Sequence, residues 1–155
     1  MGNNLSLSIE RKAFANWISN QCNWQIFATL TFRKEVSEQY GYRYFRGFCQ
    51  KLAREYLNEH IWVFYGYAPQ QRGVYHFHAT FGFRNDSEIS CSPAFVERLW
   101  PYNSKVEKFL PAKGGLEYIA KHKHYDFNVA CPRPSRCRRT KRGCIVASVI
   151  EHRHR

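Results

Sequence analysis

The sequence IWVFYGYAPQQRGVYHFHATFGF, at residues 61–83, contains two long apolar runs that are separated by a short polar segment. Both runs, residues 61–67 and 74–83, are rich in aromatic and β-branched residues, which favour β-strands. The segment between them, residues 68–73, includes a proline and a glycine and is typical of a turn. The sequence therefore predicts an antiparallel hairpin at the centre of the fold.

The segments on either side of this hairpin predict further helices and strands. Helices are indicated where apolar residues recur every three or four positions, and strands where aromatic and β-branched residues are enriched. The additional elements are a helix at residues 9–18, a strand at 25–32, a helix at 35–57, a short helix at 94–100, a strand at 105–110 and a helix at 115–124. The order strand, helix, hairpin, helix, strand is typical of a ferredoxin-like α+β fold. We therefore expect a central antiparallel sheet of four to five strands with helices packed on one face.

The composition indicates a folded, strongly basic protein. The chain of 155 residues carries 24 lysines and arginines against 12 aspartates and glutamates, so its net charge is +12. A basic chain of this size most often binds an acidic partner, of which nucleic acid is the commonest. Its hydrophobic content of 44% is sufficient for one core, which argues against disorder. Aromatic residues such as Trp24, Phe32, Trp62 and Tyr65 could stack on bases, although we expect most of them in the core.

The distribution of charge divides the chain into two parts. We predict a folded domain at residues 1–130 and a basic C-terminal arm at residues 131–155, which holds eight lysines and arginines and a single acid. Such an arm either grips phosphates, a salt-sensitive contribution without sequence information, or is a disordered basic tail. The candidate DNA-binding residues are Arg72, Lys123, Arg136, Arg138, Arg139, Lys141 and Arg142.

The six cysteines are scattered along the chain, and none forms a C-x-x-C pair. The sequence has no recognisable signal peptide and no apolar run of membrane-spanning length. Free thiols in a reducing compartment are the simplest interpretation, so we predict a soluble, intracellular protein without a membrane partner. A zinc site formed by Cys131, Cys137 and Cys144 with His122 or His124 is an alternative, but this cysteine spacing is unusual for zinc.

Two histidines, His76 and His78, lie within the predicted strand at residues 74–83. Because side chains alternate between the two faces of a strand, both imidazoles project to the same side. Two adjacent imidazoles can chelate a divalent metal ion. The same pattern is also compatible with two surface histidines whose spacing has no functional meaning.

A second candidate group lies on the predicted helix at residues 115–124. Tyr118, Lys121 and His122 are spaced so that they share one helix face. An ammonium and an imidazole beside a phenol can stabilise phenolate and bind phosphate, and tyrosine is a covalent nucleophile once it is activated. Tyr125 is spaced to lie near the same face as a second phenol, although packing at the helix end is the simpler interpretation. The alternative for the whole segment is an ordinary amphipathic helix.

Three segments, taken in order, resemble the motifs of the HUH endonucleases. Residues 27–32 (Phe-Ala-Thr-Leu-Thr-Phe) resemble the strand motif, and residues 72–78 (Arg-Gly-Val-Tyr-His-Phe-His) resemble the histidine motif. Residues 118–121 (Tyr-Ile-Ala-Lys) resemble the Y-x-x-K motif. The likeness covers residues 24–124. Within that family the chain is similar to the single-tyrosine initiators (Rep) that start rolling-circle replication of plasmids and small single-stranded DNA viruses.

The resemblance implies a nickase and ligase that acts on single-stranded DNA at an origin hairpin. His76 and His78 would bind Mg²⁺ or Mn²⁺, which polarises the scissile phosphate. Tyr118 would attack that phosphate and form a 5′-phosphotyrosine intermediate with a free 3′-hydroxyl, while Lys121 would position the phosphate. Such a protein works in the cytoplasm of a prokaryotic host or, if it is viral, in the host nucleus.

Two features depart from the family pattern. Family members usually have a carboxylate a few residues before the first histidine, where this chain has Ala68, so Gln70 or Gln71 is the candidate third metal ligand. No P-loop sequence accompanies the domain, and we therefore expect either a nickase fragment or a protein that recruits a host helicase. The alternatives are a transposase or processing nuclease of mobile elements with the same chemistry, and a DNA-binding module with weak catalysis or none.

Overall fold

The structure is a computed structural model, and it describes residues 3–56, 59–69, 73–122 and 124–130. Within these residues the chain forms four α-helices, one short 3₁₀ turn and five β-strands. The predicted basic arm at residues 131–155 lies outside the described residues. In chain order the elements are α1 (Asn3–Ser19), β1 (Asn23–Thr31), α2 (Glu38–Glu55), β2 (Ile61–Pro69), β3 (Tyr75–Phe83), α3 (Pro93–Leu99), β4 (Asn103–Lys108), the 3₁₀ turn (Pro111–Lys113), α4 (Gly115–Ala120) and β5 (His124–Ala130).

The five strands form one antiparallel sheet in the order β4-β1-β3-β2-β5, so the predicted α+β class is confirmed. The predicted hairpin is also present, because β2 pairs with β3 from Trp62 to Pro69. Strand β3 is the centre of the sheet, with β1 on one side and β2 on the other. In this register His78 lies between Thr29 of β1 and Gly66 of β2. His76 likewise lies between Thr31 and Ala68.

Helices cover both faces of the sheet, so the expectation of helices on one face is wrong. On the face covered by α2 and α3, Phe45 stacks on Phe77 with ring centroids 4.3 Å apart. On the opposite face, Ile18 of α1 and Ile119 of α4 are buried with Phe64 of β2. We call these the α2 face and the α4 face. Helices are needed on both faces because successive residues of β2 are apolar on both sides of the strand. Such a strand is stable only when both of its sides are covered.

Helix α2 begins at a capped N-terminus. Ser37 precedes the helix, and its side-chain oxygen accepts a hydrogen bond from the amide of Tyr40 at 3.3 Å. This cap explains why the helix begins at Glu38 rather than at residue 35, where the sequence predicted its start. The buried side chains recur every three or four residues and face the sheet. They are Phe45, Phe48, Cys49, Leu52 and Ala53.

The largest error of the sequence prediction lies at the C-terminal end of the described chain. Residues 115–124 predict one helix, but α4 ends at Ala120 and His124 begins β5. Strand β5 pairs with β2 along its length, from His124 opposite Tyr67 to Ala130 opposite Ile61. This long-range pairing with the edge of β2 outweighs the local helical spacing, which sequence periodicity alone detects.

Smaller features complete the comparison with the sequence. The strand expected at residues 105–110 is β4, displaced by two residues toward the N-terminus. Cys22, Cys49 and Cys91 are buried free thiols, whereas the three cysteines of the zinc alternative lie outside the described residues. Of the helices that the structure describes, none combines the length and the apolar character needed to cross a membrane.

Candidate active site

The two predicted metal-binding histidines lie side by side on the α4 face of the sheet. Both belong to β3, and the centroids of the His76 and His78 rings are 4.7 Å apart. The position follows from strand geometry, since Tyr75 and Phe77 point to the opposite face and pack in the α2-face core. The alternation of the strand therefore brings the two imidazoles together, as the sequence predicted.

The imidazole of His78 is held between two hydroxyl groups. Its Nδ1 lies 3.1 Å from Oγ1 of Thr29, and its Nε2 lies 3.4 Å from the phenol oxygen of Tyr118. A neutral imidazole has one donor and one acceptor nitrogen. If Nδ1–H donates to Thr29, then Nε2 accepts from the phenol of Tyr118. With only 7% of His78 exposed, these two hydroxyls define the orientation of its ring.

Helix α4 places Tyr118 above the histidines because two glycines let the helix approach the sheet closely. Gly114 precedes the helix with a φ of 65°, a left-handed conformation that glycine adopts without strain. At Gly115 an added Cβ would lie 2.9 Å from the ring of Phe27 in β1. The helix buries Leu116, Ile119 and Ala120 and leaves Tyr118 with 45% of its surface exposed. The phenol thus touches the buried histidine and remains open to a large substrate.

A third histidine, His122, completes the cluster. Its ring stacks on that of His78 with centroids 5.0 Å apart, and it lies 6.4 Å from the ring of His76. Room for this ring depends on Gly66 of β2, where an added Cβ would lie 3.0 Å from His122. Sequence spacing associated His122 with Tyr118 but not with the histidine pair. The available signal was a glycine in the strand that flanks the pair, which often marks close approach of another group.

The surroundings of all three histidines favour the neutral imidazole. Burial lowers the pKa of His78 to about 4, with a further contribution from the nearby His76 and His122. Burial also lowers the pKa of His76, to which His122 adds, and burial alone lowers that of His122. His122 therefore cannot stabilise a phenolate as a cation in this state. What the cluster offers instead is a set of imidazole lone pairs.

Two nitrogen atoms of the cluster are buried and have no hydrogen-bond partner within the described residues. They are Nδ1 of His76 and Nε2 of His122. Buried polar atoms of folded proteins are satisfied in the great majority of cases, so each exception calls for an explanation. Imidazole nitrogens without partners are suited to accept a ligand, either a metal ion or a donor group of a substrate.

The donor set fits a transition metal better than Mg²⁺. Mg²⁺ is a hard cation that prefers oxygen ligands, whereas neutral imidazoles suit transition metals. Of the two ions that the resemblance implies, Mn²⁺ therefore matches His76 and His78 better. The described residues nevertheless contain no group of three or more histidine, cysteine, aspartate or glutamate side chains arranged to hold a metal ion. Gln70 and Gln71, the candidate third ligands, lie outside the described residues.

The other candidate residues are placed as follows. Lys121 directly follows α4, three residues after Tyr118, and is exposed. Tyr125 lies on β5 and not on the helix of Tyr118, so its expected place on that helix is wrong; it packs against Phe14 and Phe64. The predicted DNA-binding residues all lie outside the described part of the chain. They are Arg72, Lys123, Arg136, Arg138, Arg139, Lys141 and Arg142.

Comparison with known proteins identifies no relative of this chain. No protein-family model matches it, no curated protein matches it in sequence, and no solved structure matches its fold. The assignment of a function therefore depends on the geometry of the cluster and on the three sequence motifs.

Proposed function

We propose that this chain is an endonuclease of the HUH type, which nicks and rejoins single-stranded DNA to initiate rolling-circle replication. The order β1-α2-β2-β3-α3-β4 supports a ferredoxin-like HUH fold, since it is the split β-α-β arrangement with one added strand and two added helices. The observation that carries the proposal is the contact between Tyr118 and His78, 3.4 Å apart across two elements that are remote in sequence. All three motifs of the resemblance meet at this contact, because Thr29 holds the other side of His78.

The proposed reaction is a transfer of the phosphoryl group to tyrosine. The phenol oxygen of Tyr118 attacks the scissile phosphorus and loses its proton, while the bond from phosphorus to the 3′ oxygen breaks. The products are a 5′-phosphotyrosine and a 3′-hydroxyl, and the reverse reaction rejoins the strand without an energy source. His78 and Phe27 orient the phenol, and the ammonium of Lys121 attracts the phosphate. A divalent cation held by His76 and His78 would replace the phenol at Nε2 of His78, because Nδ1 is bonded to Thr29, and it would supply charge that stabilises the phosphate.

Covalent capture of DNA tests this proposal directly. The full chain is incubated with end-labelled single-stranded DNA containing hairpins, in the presence of Mn²⁺, and adducts are separated by denaturing electrophoresis. We expect an adduct that Tyr118→Phe abolishes and that the matched variant Tyr125→Phe leaves unchanged, since Tyr125 lies outside the histidine cluster. Mass spectrometry of the adduct should place the nucleotide on Tyr118. An adduct of equal yield in Tyr118→Phe would exclude Tyr118 as the nucleophile.

A DNA-binding module without catalysis is the second candidate, favoured by the lack of a ready three-ligand metal group in the described residues. It predicts that wild type and Tyr118→Phe bind single-stranded DNA with equal affinity and that neither forms an adduct with Mn²⁺ or Mg²⁺. A transposase or processing nuclease would form the same adduct and differ in the DNA that it joins. The initiator would need an origin hairpin and a host helicase as its partners.

A further inference from the structure

A pocket of about 540 Å³ opens where β1 ends and α2 begins. Phe32 forms its floor and is buried, while Tyr40 and Tyr102 form its walls. Tyr40 remains 42% exposed although it is a large aromatic residue. The volume falls in the range of about 300–1,000 Å³ that is usual for sites of small molecules. The pocket therefore has the size and the aromatic walls to accept one planar group.

The rim of this pocket is positively charged. Arg33 and Lys34 line it, both are exposed, and neither forms an ion pair within the described part of the chain. A side-chain hydrogen bond with Tyr102 raises the pKa of Tyr40, and the nearby charges of Arg43 and Lys34 oppose that shift more weakly. The phenol of Tyr40 thus stays protonated, within reach of cations that would attract a phosphate. No acidic side chain belongs to the lining.

The pocket lies beside the histidine cluster, around the end of β1. Thr31, the last residue of β1, pairs with His76. The next residue, Phe32, donates its amide hydrogen to the carbonyl oxygen of Tyr75 at 3.4 Å. Phe32 packs in the α2-face core, whereas His76 lies on the α4 face, so an extended ligand that joins the two sites must pass over the end of this strand pair.

We propose that this pocket binds an unstacked nucleobase of the single strand that Tyr118 cleaves, with the flanking phosphate between Arg33 and Lys34. This inference rests on the proposed function, because that function identifies the bound DNA strand as the one that Tyr118 cleaves. A base has two apolar faces and a polar edge, which suit the exposed ring of Tyr40 and the hydroxyls of Tyr40 and Tyr102. The cations on the rim provide the charge complementarity that a purely apolar ligand would not need.

Binding of a short fluorescein-labelled oligothymidine, followed by anisotropy with the full chain, tests the pocket. Tyr40→Ala should weaken binding roughly tenfold, as expected for the loss of one stacked base, and Tyr40→Phe should retain most of the affinity. Trp17→Ala is the matched control, because Trp17 is a similarly exposed aromatic residue that packs on Phe14 and Phe127 of the α4 face. A Tyr40→Ala variant that binds as tightly as wild type, or as tightly as Trp17→Ala, would overturn the proposal.

Photocrosslinking locates the bound base. An oligonucleotide that carries 5-iodouracil should crosslink to Tyr40 or Tyr102, as mapped by mass spectrometry of peptides. Crosslinks confined to other segments would place the base elsewhere and overturn the assignment. If Tyr40→Ala instead dissociates a dimer in sedimentation experiments without changing DNA affinity, the pocket holds a second copy of the chain and the proposal is wrong.

Covalent capture separates failure of the pocket from failure of the proposed function. Trp17→Ala should form the Tyr118 adduct as wild type does, because Trp17 lies outside both the pocket and the histidine cluster. Tyr40→Ala should need roughly tenfold more DNA to reach the same adduct yield. If wild type forms no adduct while Tyr40→Ala still binds DNA more weakly, the pocket stands and the nuclease function fails. If the adduct forms while binding is unaffected by Tyr40→Ala, the function stands and the pocket assignment fails.

Discussion

The two faces of the sheet use their aromatic rings in opposite ways. On the α2 face, rings such as Phe45 and Phe77 stack tightly and expose almost nothing to solvent. On the α4 face, the rings of His76, His78 and His122 also pack, but two of their nitrogen atoms are buried without partners. Among the residues that the structure describes, the α2-face core also holds one buried nitrogen without a partner, Nε1 of Trp100, but an indole nitrogen can only donate, whereas an imidazole nitrogen can bind a metal ion or accept a hydrogen bond. The difference separates the face that holds the fold together from the face that can accept a ligand.

Phe77→Ala is expected to have the largest effect on stability, because it removes a ring from the packed core of the α2 face. Phe77 is 1% exposed and stacks on Phe45, so its truncation leaves a cavity in the α2-face core. We expect a loss of about 3–5 kcal/mol in the free energy of unfolding. Urea denaturation followed by tryptophan fluorescence measures this change. A loss below about 1 kcal/mol would mean that the α2 face is not the stabilising core.

The second largest loss of stability is expected on acidification, which should destabilise the α4 face that holds the three histidines. The pKa of His78 is lowered from its ordinary value of 6.5 to about 4 in the folded chain, so the unfolded chain binds more protons between these two pH values. The stability that His78 contributes is therefore complete above pH 6.5 and is lost as the pH falls toward 4, by about 3 kcal/mol. The lowered pKa values of His76 and His122 act in the same direction.

The free energy of unfolding, measured in metal-free buffer across this pH range, checks the sign and size of that effect. In His78→Gln the fall between pH 6.5 and 4 should be clearly smaller than in wild type. His60→Gln serves as the control, since His60 is exposed and lies outside the cluster. A stability profile of His78→Gln that parallels wild type would show that His78 is not held neutral by burial.

Much of the difference between the two faces could be predicted from the sequence, since it depends on the local periodicity of the strands and helices. The period of two along β3 places His76 and His78 together, and the spacing of four places His122 beside Tyr118. The contact of His78 with Tyr118 could not be predicted, because it depends on how closely α4 approaches the sheet at Gly115. Strand β5 was missed for a related reason, as it depends on pairing with β2, which is remote in sequence.

Thr29→Val tests how much the orientation of His78 matters. Valine keeps the strand preference and the approximate shape of threonine but removes the hydroxyl that contacts Nδ1 at 3.1 Å. The free energy of unfolding should fall by about 1 kcal/mol, the usual value of one hydrogen bond. Adduct formation with Mn²⁺ should slow roughly tenfold or more, because loss of a group that orients a metal-binding histidine commonly has that effect. Thr29→Ser restores the hydroxyl and should recover the rate; equal rates in Thr29→Val and wild type would remove Thr29 from the site.

Gly66→Ala is expected to have the smallest effect on stability. It gives the most specific test of how the histidines are packed on the α4 face. An added Cβ would lie 3.0 Å from His122, which follows the end of α4 and can move outward by a few tenths of an ångström. The free energy of unfolding should change by less than about 1 kcal/mol, since replacing a strand glycine also lowers the entropy of the unfolded chain. Because burial is what lowers the pKa of His122, its outward movement should raise that pKa toward the ordinary value, as NMR titration of the imidazole would measure. Gly47→Ala is the control, because its added Cβ would meet no neighbouring group beyond the adjacent residues and backbone of its own helix, and it should leave the titration of His122 unchanged. An unchanged His122 titration in Gly66→Ala would show that Gly66 does not provide the space for this ring, and the close approach of His122 to the histidine pair would then need another explanation.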